Sequence, residues 1–417
     1  MSEDKLYAME ELPIAPSDVD ATTFHSCSLH SSEYNKSKNI KMSNQENKKA
    51  TKSDEFTPSQ SKDVAMFAWK VRDFNSLRDV ANIFPLEKTR ITVNIISPDE
   101  VANRIIDCLK RLSIASIYRK PKATLLAESL DHVQFYIRLF KKIDGANKAI
   151  VVEIQRKNGC CLSFCSMART ILQEVKYGYN GKDDESRKCL VKLYHAQDIG
   201  AINSRVEEKM EDDISFALER ISDSLFACDL MDVKLIAMEN LCLLTSIDST
   251  EAKTSLAVTQ NILQSDTDDH KKIRWSILQH VRHPCDEEYF YDELQQRYYL
   301  IMHNHALAVL GNMLHLLSGS KNVLQSIVDS DEWLGDRGLL AALIKELHCA
   351  DTRPHDAYHA MRCLNAIIGA SSDLMKRAVG LGLLSAIDFS QNVGHRSHSL
   401  LAGETDIGIA MIEKCRS

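Results

Sequence analysis

The chain has 417 residues, 26% of them charged and 6% aromatic, with a formal net charge of −7. That length is too great for one compact core, so two or three domains are expected. Twelve cysteines lack paired framework spacing, no apolar stretch follows the start MSEDKLYAMEELP, and no run of eighteen apolar residues occurs. The expectation is therefore an intracellular, cytoplasmic chain with reduced thiols and no membrane-spanning helix. Charge is unevenly spread: Lys plus Arg against Asp plus Glu is 11 to 14 over residues 1–87, 16 to 8 over 88–180 and 24 to 36 over the remainder, or −3, +8 and −12. Such segregation suggests modules with different partners, or a basic module docked on an acidic one.

Residues 1–64 are rich in Ser, Asn, Lys, Asp and Glu and bury too little apolar surface to offset the entropy of ordering, so a disordered tail is expected. Lys36, Lys38, Lys41, Lys48, Lys49 and Lys52 read as a solvated tract, with nuclear import the sharper alternative.

Residues 65–180 form the basic segment. TRITVNIIS at 89–97 is a β-branched strand, and Ser97, Pro98, Asp99 and Glu100 are a helix start, with a capping hydroxyl, proline in the first turn and acids behind it. The helix runs to about Leu112. Strands are expected at 122–126, 133–142 and 149–155, the middle one alternating Val133, Phe135, Ile137 and Leu139 against Gln134, Tyr136, Arg138 and Phe140. A helix at 162–176 carries Phe164, Ala168 and Ile171, with Cys161 and Cys165 expected to pack on its apolar side. The order is β-α-β-β-β-α.

Residues 181–417 form the acidic segment, and one helix pattern recurs there: AMENLCLL at 237–244, ALAVLGNML at 306–314 and AMRCLNAII at 360–368. Ala237, Met238, Leu241 and Leu244 match Ala306, Leu307, Leu310 and Met313, then Ala360, Met361, Leu364 and Ile367. These fall at i, i+1, i+4 and i+7, one stripe of a 3.6-residue helix. A second element repeats in the same order relative to the first, GLLAAL at 338–343 and GLLSAI at 382–387. Repetition of a helical unit builds a stacked superhelix with a long groove.

Here the chain resembles the armadillo repeat family. The third helix of a family unit reads roughly A-x-x-A-L-x-N-Φ, and residues 306–313 fit it, with Leu310, Gly311, Asn312 and Met313 at its end. GASSDLMKRAVGLGLLSAI at 369–387 is similar to the family's polar turn, connecting helix and Gly-led first helix, with Gly382 at the Gly position. The family's groove Trp is absent, and its groove Asn survives only as Asn312, with Leu243 and Ala366 at the matching places. The resemblance covers about 202–415. It implies a noncatalytic protein-binding adaptor or scaffold, whose groove residues would be Asn304, Ala308, Asn312, His359 and Arg362.

The β-α-β-β-β-α order resembles the kinase-associated C-terminal domain, similar in outline to half of a TATA-binding-protein fold. That resemblance implies a basic surface that meets acidic phospholipid headgroups or the protein's own other domain. Its candidates are Arg119, Lys120, Lys122, Arg138, Lys141 and Lys142, each worth about 1 kcal/mol beside an anionic membrane. The blander alternative is a solvated edge that keeps strands from aggregating. Only Tyr118 and Tyr136 lie nearby as stacking platforms, so nucleic acid is disfavoured.

Enzyme motifs are mostly lacking. PHDAYH at 354–359 sets His355 and His359 four apart as in a zinc-protease helix, but Asp356 stands where the general base should be Glu. A helix N-terminus with exposed histidines is the better account. Cys160, Cys161 and Cys165, and His280, His283 and Cys285, have no partner pair at ligand spacing. No phosphate-binding glycine loop, nucleophile elbow or kinase signature occurs, so neither catalysis nor a cofactor or metal is expected. The resulting expectation is a mainly α protein: a disordered tail, a small basic α+β domain and an armadillo-like α-solenoid. It would act as a protein-binding scaffold or, alternatively, as a peripheral membrane adaptor.

Overall fold

The sheet expected in the basic segment is present and larger than its sequence suggests. The computed structural model describes residues 69–71, 73–80, 86–94, 97–119, 123–144, 147–179, 204–227, 229–282, 293–318, 324–325 and 338–416. The tail expected at 1–64 lies outside them, as do Lys120, Lys122, His283 and Cys285. All described residues fall within one unit, Lys62–Ser417.

The first part contains β1 (Arg78–Asp79), β2 (Arg90–Asn94), α1 (Pro98–Arg111), β3 (Ala115–Arg119), β4 (Thr124–Glu128), β5 (Gln134–Asp144), β6 (Asn147–Asn158) and α2 (Cys161–Tyr177). The sheet runs β2-β6-β5-β4-β3 with antiparallel neighbours, and β1 lies parallel to β5 where β5 extends past β4. The expected order β-α-β-β-β-α thus gains a strand before β4. β3 is short, polar in part, and follows Ser113 at φ +53°, so it becomes a strand only through its register with β4, Ile117 opposite Leu126.

α1 starts as its sequence dictates: the Ser97 hydroxyl accepts the Glu100 amide at 3.2 Å. Its buried face, Val101, Ala102, Ile105, Cys108 and Leu109, packs in one core with Phe135, Ile137 and Leu139 of β5 and Phe164, Ala168, Ile171 and Val175 of α2. Cys161 and Cys165 depart from expectation and are exposed. The buried stripe of α2 runs through Phe164, Ala168, Ile171 and Val175, and Cys161, Leu162 and Cys165 fall off it.

The second part is helical: α3 (Ser204–Phe226), α4 (Met231–Thr245), α5 (Ala252–Gln264), α6 (Asp268–Arg282), α7 (Glu293–Leu317), α8 (Leu339–His348), α9 (Pro354–Ala370), α10 (Ser372–Gly380), α11 (Leu383–Ser397) and α12 (Ser399–Arg416). α7 packs between α4 and α9, and α9 also packs against α8 and α12. The recurrent positions form the shared core: Ala237, Met238 and Leu241, then Ala306, Leu307, Leu310 and Met313, then Ala360, Met361, Leu364 and Ile367. Each such buried aliphatic side chain contributes roughly 1.5 to 3 kcal/mol. α7 is long and apolar enough to cross a membrane, but its apolar positions are occupied in helix packing.

Polar details fix the helix ends. The Arg274 guanidinium on α6 donates to the carbonyls of Ile262, Leu263 and Ser265 at 3.0, 3.2 and 3.0 Å, satisfying the C-terminus of α5. Gly382, at φ +96°, turns the chain from α10 into α11. Gly394 lets α11 and α12 touch, since a Cβ there would lie 2.6 Å from the Ala402 nitrogen.

Candidate functional site

The residues expected to line a groove are divided by the structure. Asn304, Ala308 and His359 are buried, because α7 and α9 approach closely along that line: a Cβ on Gly311 would stand 3.5 Å from Cys363 Sγ and 3.6 Å from the His359 carbonyl. They join helices and offer no surface to a partner, which corrects that expectation. Asn312 and Arg362 are half-buried and pair across the two helices, Arg362 Nη1 donating to Asn312 Oδ1 at 3.1 Å. Arg362 also lies over the Tyr358 ring at 5.7 Å.

Two of the basic candidates of the sheet, Arg138 and Lys141, are engaged. Arg138 donates to Glu153 Oε2 at 3.3 Å and Gln155 Oε1 at 2.5 Å and lies over Tyr136. Lys141 Nζ is 3.6 Å from Asp79. Register places Arg119 opposite Thr124 and Thr124 opposite Arg138, one row across the sheet. Lys142 is exposed. Lys120 and Lys122 lie outside the described residues.

The strongest concentration of polar chemistry is buried where α7, α8 and α9 meet. His303 Nε2 of α7 lies 3.5 Å from Glu346 Oε1 of α8, and His303 Nδ1 donates to the His280 carbonyl at 2.7 Å. Asn304 donates to Asp356 Oδ1 of α9 at 2.6 Å. Arg353 reaches both acids, 3.1 Å from Glu346 Oε2 and 3.8 Å from Asp356 Oδ2. Burial depresses the His303 imidazole, but the Glu346 and Asp356 carboxylates outweigh it and leave its pKa raised. Burial likewise raises Glu346, and the opposing His303 and Arg353 charges hold it below its ordinary value. One imidazole and two carboxylates are a donor set that suits a divalent cation.

A second chain of imidazoles joins the helices to the sheet. His355 Nε2 lies 3.0 Å from the Glu128 carbonyl at the end of β4, so it carries the proton and donates. His355 Nδ1 then accepts from His398 Nε2 at 3.0 Å, and His398 Nδ1 accepts the Leu401 amide at 3.1 Å. Every position is filled with both rings neutral. Burial, then the neighbouring His355 charge, pushes His398 down to about 3; burial likewise lowers His355. Beside them His132 meets His305 edge to face at 4.9 Å.

The histidines of PHDAYH are therefore buried, contrary to the exposed helix N-terminus expected, because the β4–β5 turn covers that end of α9. His355 and His359 do not act as an i, i+4 pair: His355 belongs to the relay, and burial holds His359 far below its ordinary value. His303 and Glu346 were not singled out by sequence, since neither stands at a recognisable spacing from Asp356. The polar pattern HNH at 303–305, set between apolar residues 300–302 and 306–310 and buried at its first two positions, is the one trace of them. No known protein-family model matches the chain, and no curated protein is detectably similar to it.

Proposed function

We propose that the chain is a noncatalytic protein-binding scaffold whose helical part is an armadillo-like stack of atypical units, an α-solenoid in miniature. The observation that carries this reading is the side-by-side packing of the three recurrent segments as α4, α7 and α9. Equivalent positions of neighbouring copies then form a row, and the row at the family's Asn position consists of Leu243, Asn312 and Ala366. Leu243 is 47% exposed, and Asn312 and Ala366 are half-buried. Arg362 and Tyr358 stand beside the row. This mixture of exposed aliphatic, aromatic and Arg side chains matches the composition of interaction centres. The absent Trp and the single Asn argue for a ligand other than the family's extended basic peptides.

The full chain, used as bait in cross-linking and affinity capture, is expected to retain a discrete partner. Leu243→Asp with Arg362→Glu should abolish that retention, while Lys157→Glu on the sheet leaves it intact. Equal capture by both variants would remove the row from consideration.

A further inference from the structure

The His303 cluster brings three buried ligand atoms from three helices within reach of one ion. The His280 carbonyl can only accept, so the 2.7 Å contact fixes a proton on His303 Nδ1. Nε2 is then the ring atom open to a ligand. It is fully buried, has no hydrogen-bond partner, and faces Glu346 Oε1 at 3.5 Å. Without an ion, positive charge at this point comes from Arg353 Nη2, 3.3 Å from the same Glu346 oxygen, or from a second proton on the ring, and a bound cation takes that place. The His303–Glu346 separation is long for a hydrogen bond but suits two ligands of one ion, because tetrahedral bonds of about 2.1 Å set ligand atoms roughly 3.4 Å apart.

Asp356 completes the set, its ligand atom and those of His303 and Glu346 all lying within 4.8 Å of one another. The surroundings are those of a supported metal site. The imidazole N–H opposite the free nitrogen is held by a backbone carbonyl, and Asn304 orients the Asp356 carboxylate at 2.6 Å. One nitrogen and two carboxylate oxygens without a thiolate fit zinc among first-row ions, with water as a fourth ligand. We propose that His303, Glu346 and Asp356 bind one zinc ion, which clips α7, α8 and α9 together.

Burial of all three side chains makes the role structural. Arg353 competes for the same oxygens, and its side chain, 24% exposed, swings toward solvent as the ion enters. This competition separates a zinc site from a simple buried ion pair, since removal of Arg353 would weaken the latter and tighten the former.

The test uses the full chain, stripped with chelator and titrated with zinc and with cobalt. Expected are one zinc per chain, and a cobalt spectrum with visible ligand-field bands but no sulfur-to-cobalt charge transfer. Binding should weaken at least tenfold in His303→Gln, strengthen in Arg353→Gln and stay unchanged in Cys160→Ser, Cys161→Ser, Cys165→Ser. Should His303→Gln fail to fold, Asp356→Asn, which keeps its shape and the Asn304 contact, gives the same reading. Absence of stoichiometric zinc, a thiolate spectrum, undiminished affinity in these ligand variants, or weaker binding in Arg353→Gln would each overturn the site.

Discussion

His398 shows how a single ring can tie a fold to pH. Its Nδ1 accepts the amide that opens α12 and its Nε2 donates to His355, which in turn donates to the end of β4. A further proton on His398 can only go to Nδ1, where it displaces the Leu401 amide. The groups facing the ring are His355 and Tyr358, and neither carries a negative charge at neutral pH to compensate. The folded pKa, about 3, lies below the unfolded value near 6.5, so the unfolded state binds the proton first. The stability is complete above about pH 6.5 and falls as pH drops toward 3, by on the order of 1.4 kcal/mol per unit for this group. His398→Asn, which keeps an acceptor for Leu401, is expected to flatten the acid limb of the urea midpoint plotted against pH; an unchanged limb would exclude His398 as its source.

Among the elements, α7 bears the largest share of the core. Leu310 is fully buried at the centre of the α4–α7–α9 packing, and Leu310→Ala is expected to cost roughly 2 to 5 kcal/mol, seen as a lower thermal midpoint with retained helical circular dichroism. A loss below 1 kcal/mol would place the residue outside the core. The stripe containing Leu310 was readable because helical periodicity and the recurrent Ala are local properties of sequence. So was α1, whose cap and first turn are written in four consecutive residues. β3 was not readable, since a five-residue strand with one exposed face owes its form to β4. The polar cluster was hidden for a similar reason: His303, Glu346 and Asp356 come from three helices, and only packing brings them together. The groove expected from the resemblance also misplaced Asn304 and His359, because a polar residue on a helix suggests solvent unless its buried partner is known.

In the molecule as a whole, two hydrophobic cores, one built on the sheet and one on the helices, are joined by directional contacts. These are the His355–Glu128 hydrogen bond, the His132–His305 ring contact and the Ser113–Ser399 pair at 3.1 Å. Each part has its own reporter: Trp69 stacks near Tyr118 in the sheet core, and Trp275 of α6, 54% exposed, lies beside Phe226 of α3 on the helical part. Variants retaining only one of these tryptophans should show coincident urea transitions, as coupled unfolding requires. Adding His355→Ala and Ser399→Ala should separate them, and transitions that already differ without those changes would refute the coupling.

The Ser113–Ser399 pair also bears on the order of assembly. The Leu400 amide in the first turn of α12 donates to Ser113 Oγ at 2.9 Å, and Ser399 Oγ donates to the Arg111 carbonyl at 3.0 Å, so two helix ends 287 positions apart cap each other. A loop of that length closes late. Beside its local cap from His398, α12 therefore gains this second one only once the first helix of the sheet is in place, which makes the N-terminal module a template for finishing the C-terminal one. In refolding with pulsed hydrogen exchange, protection of the Leu400 amide is expected to follow burial of Trp69, and protection that precedes it would reverse this order.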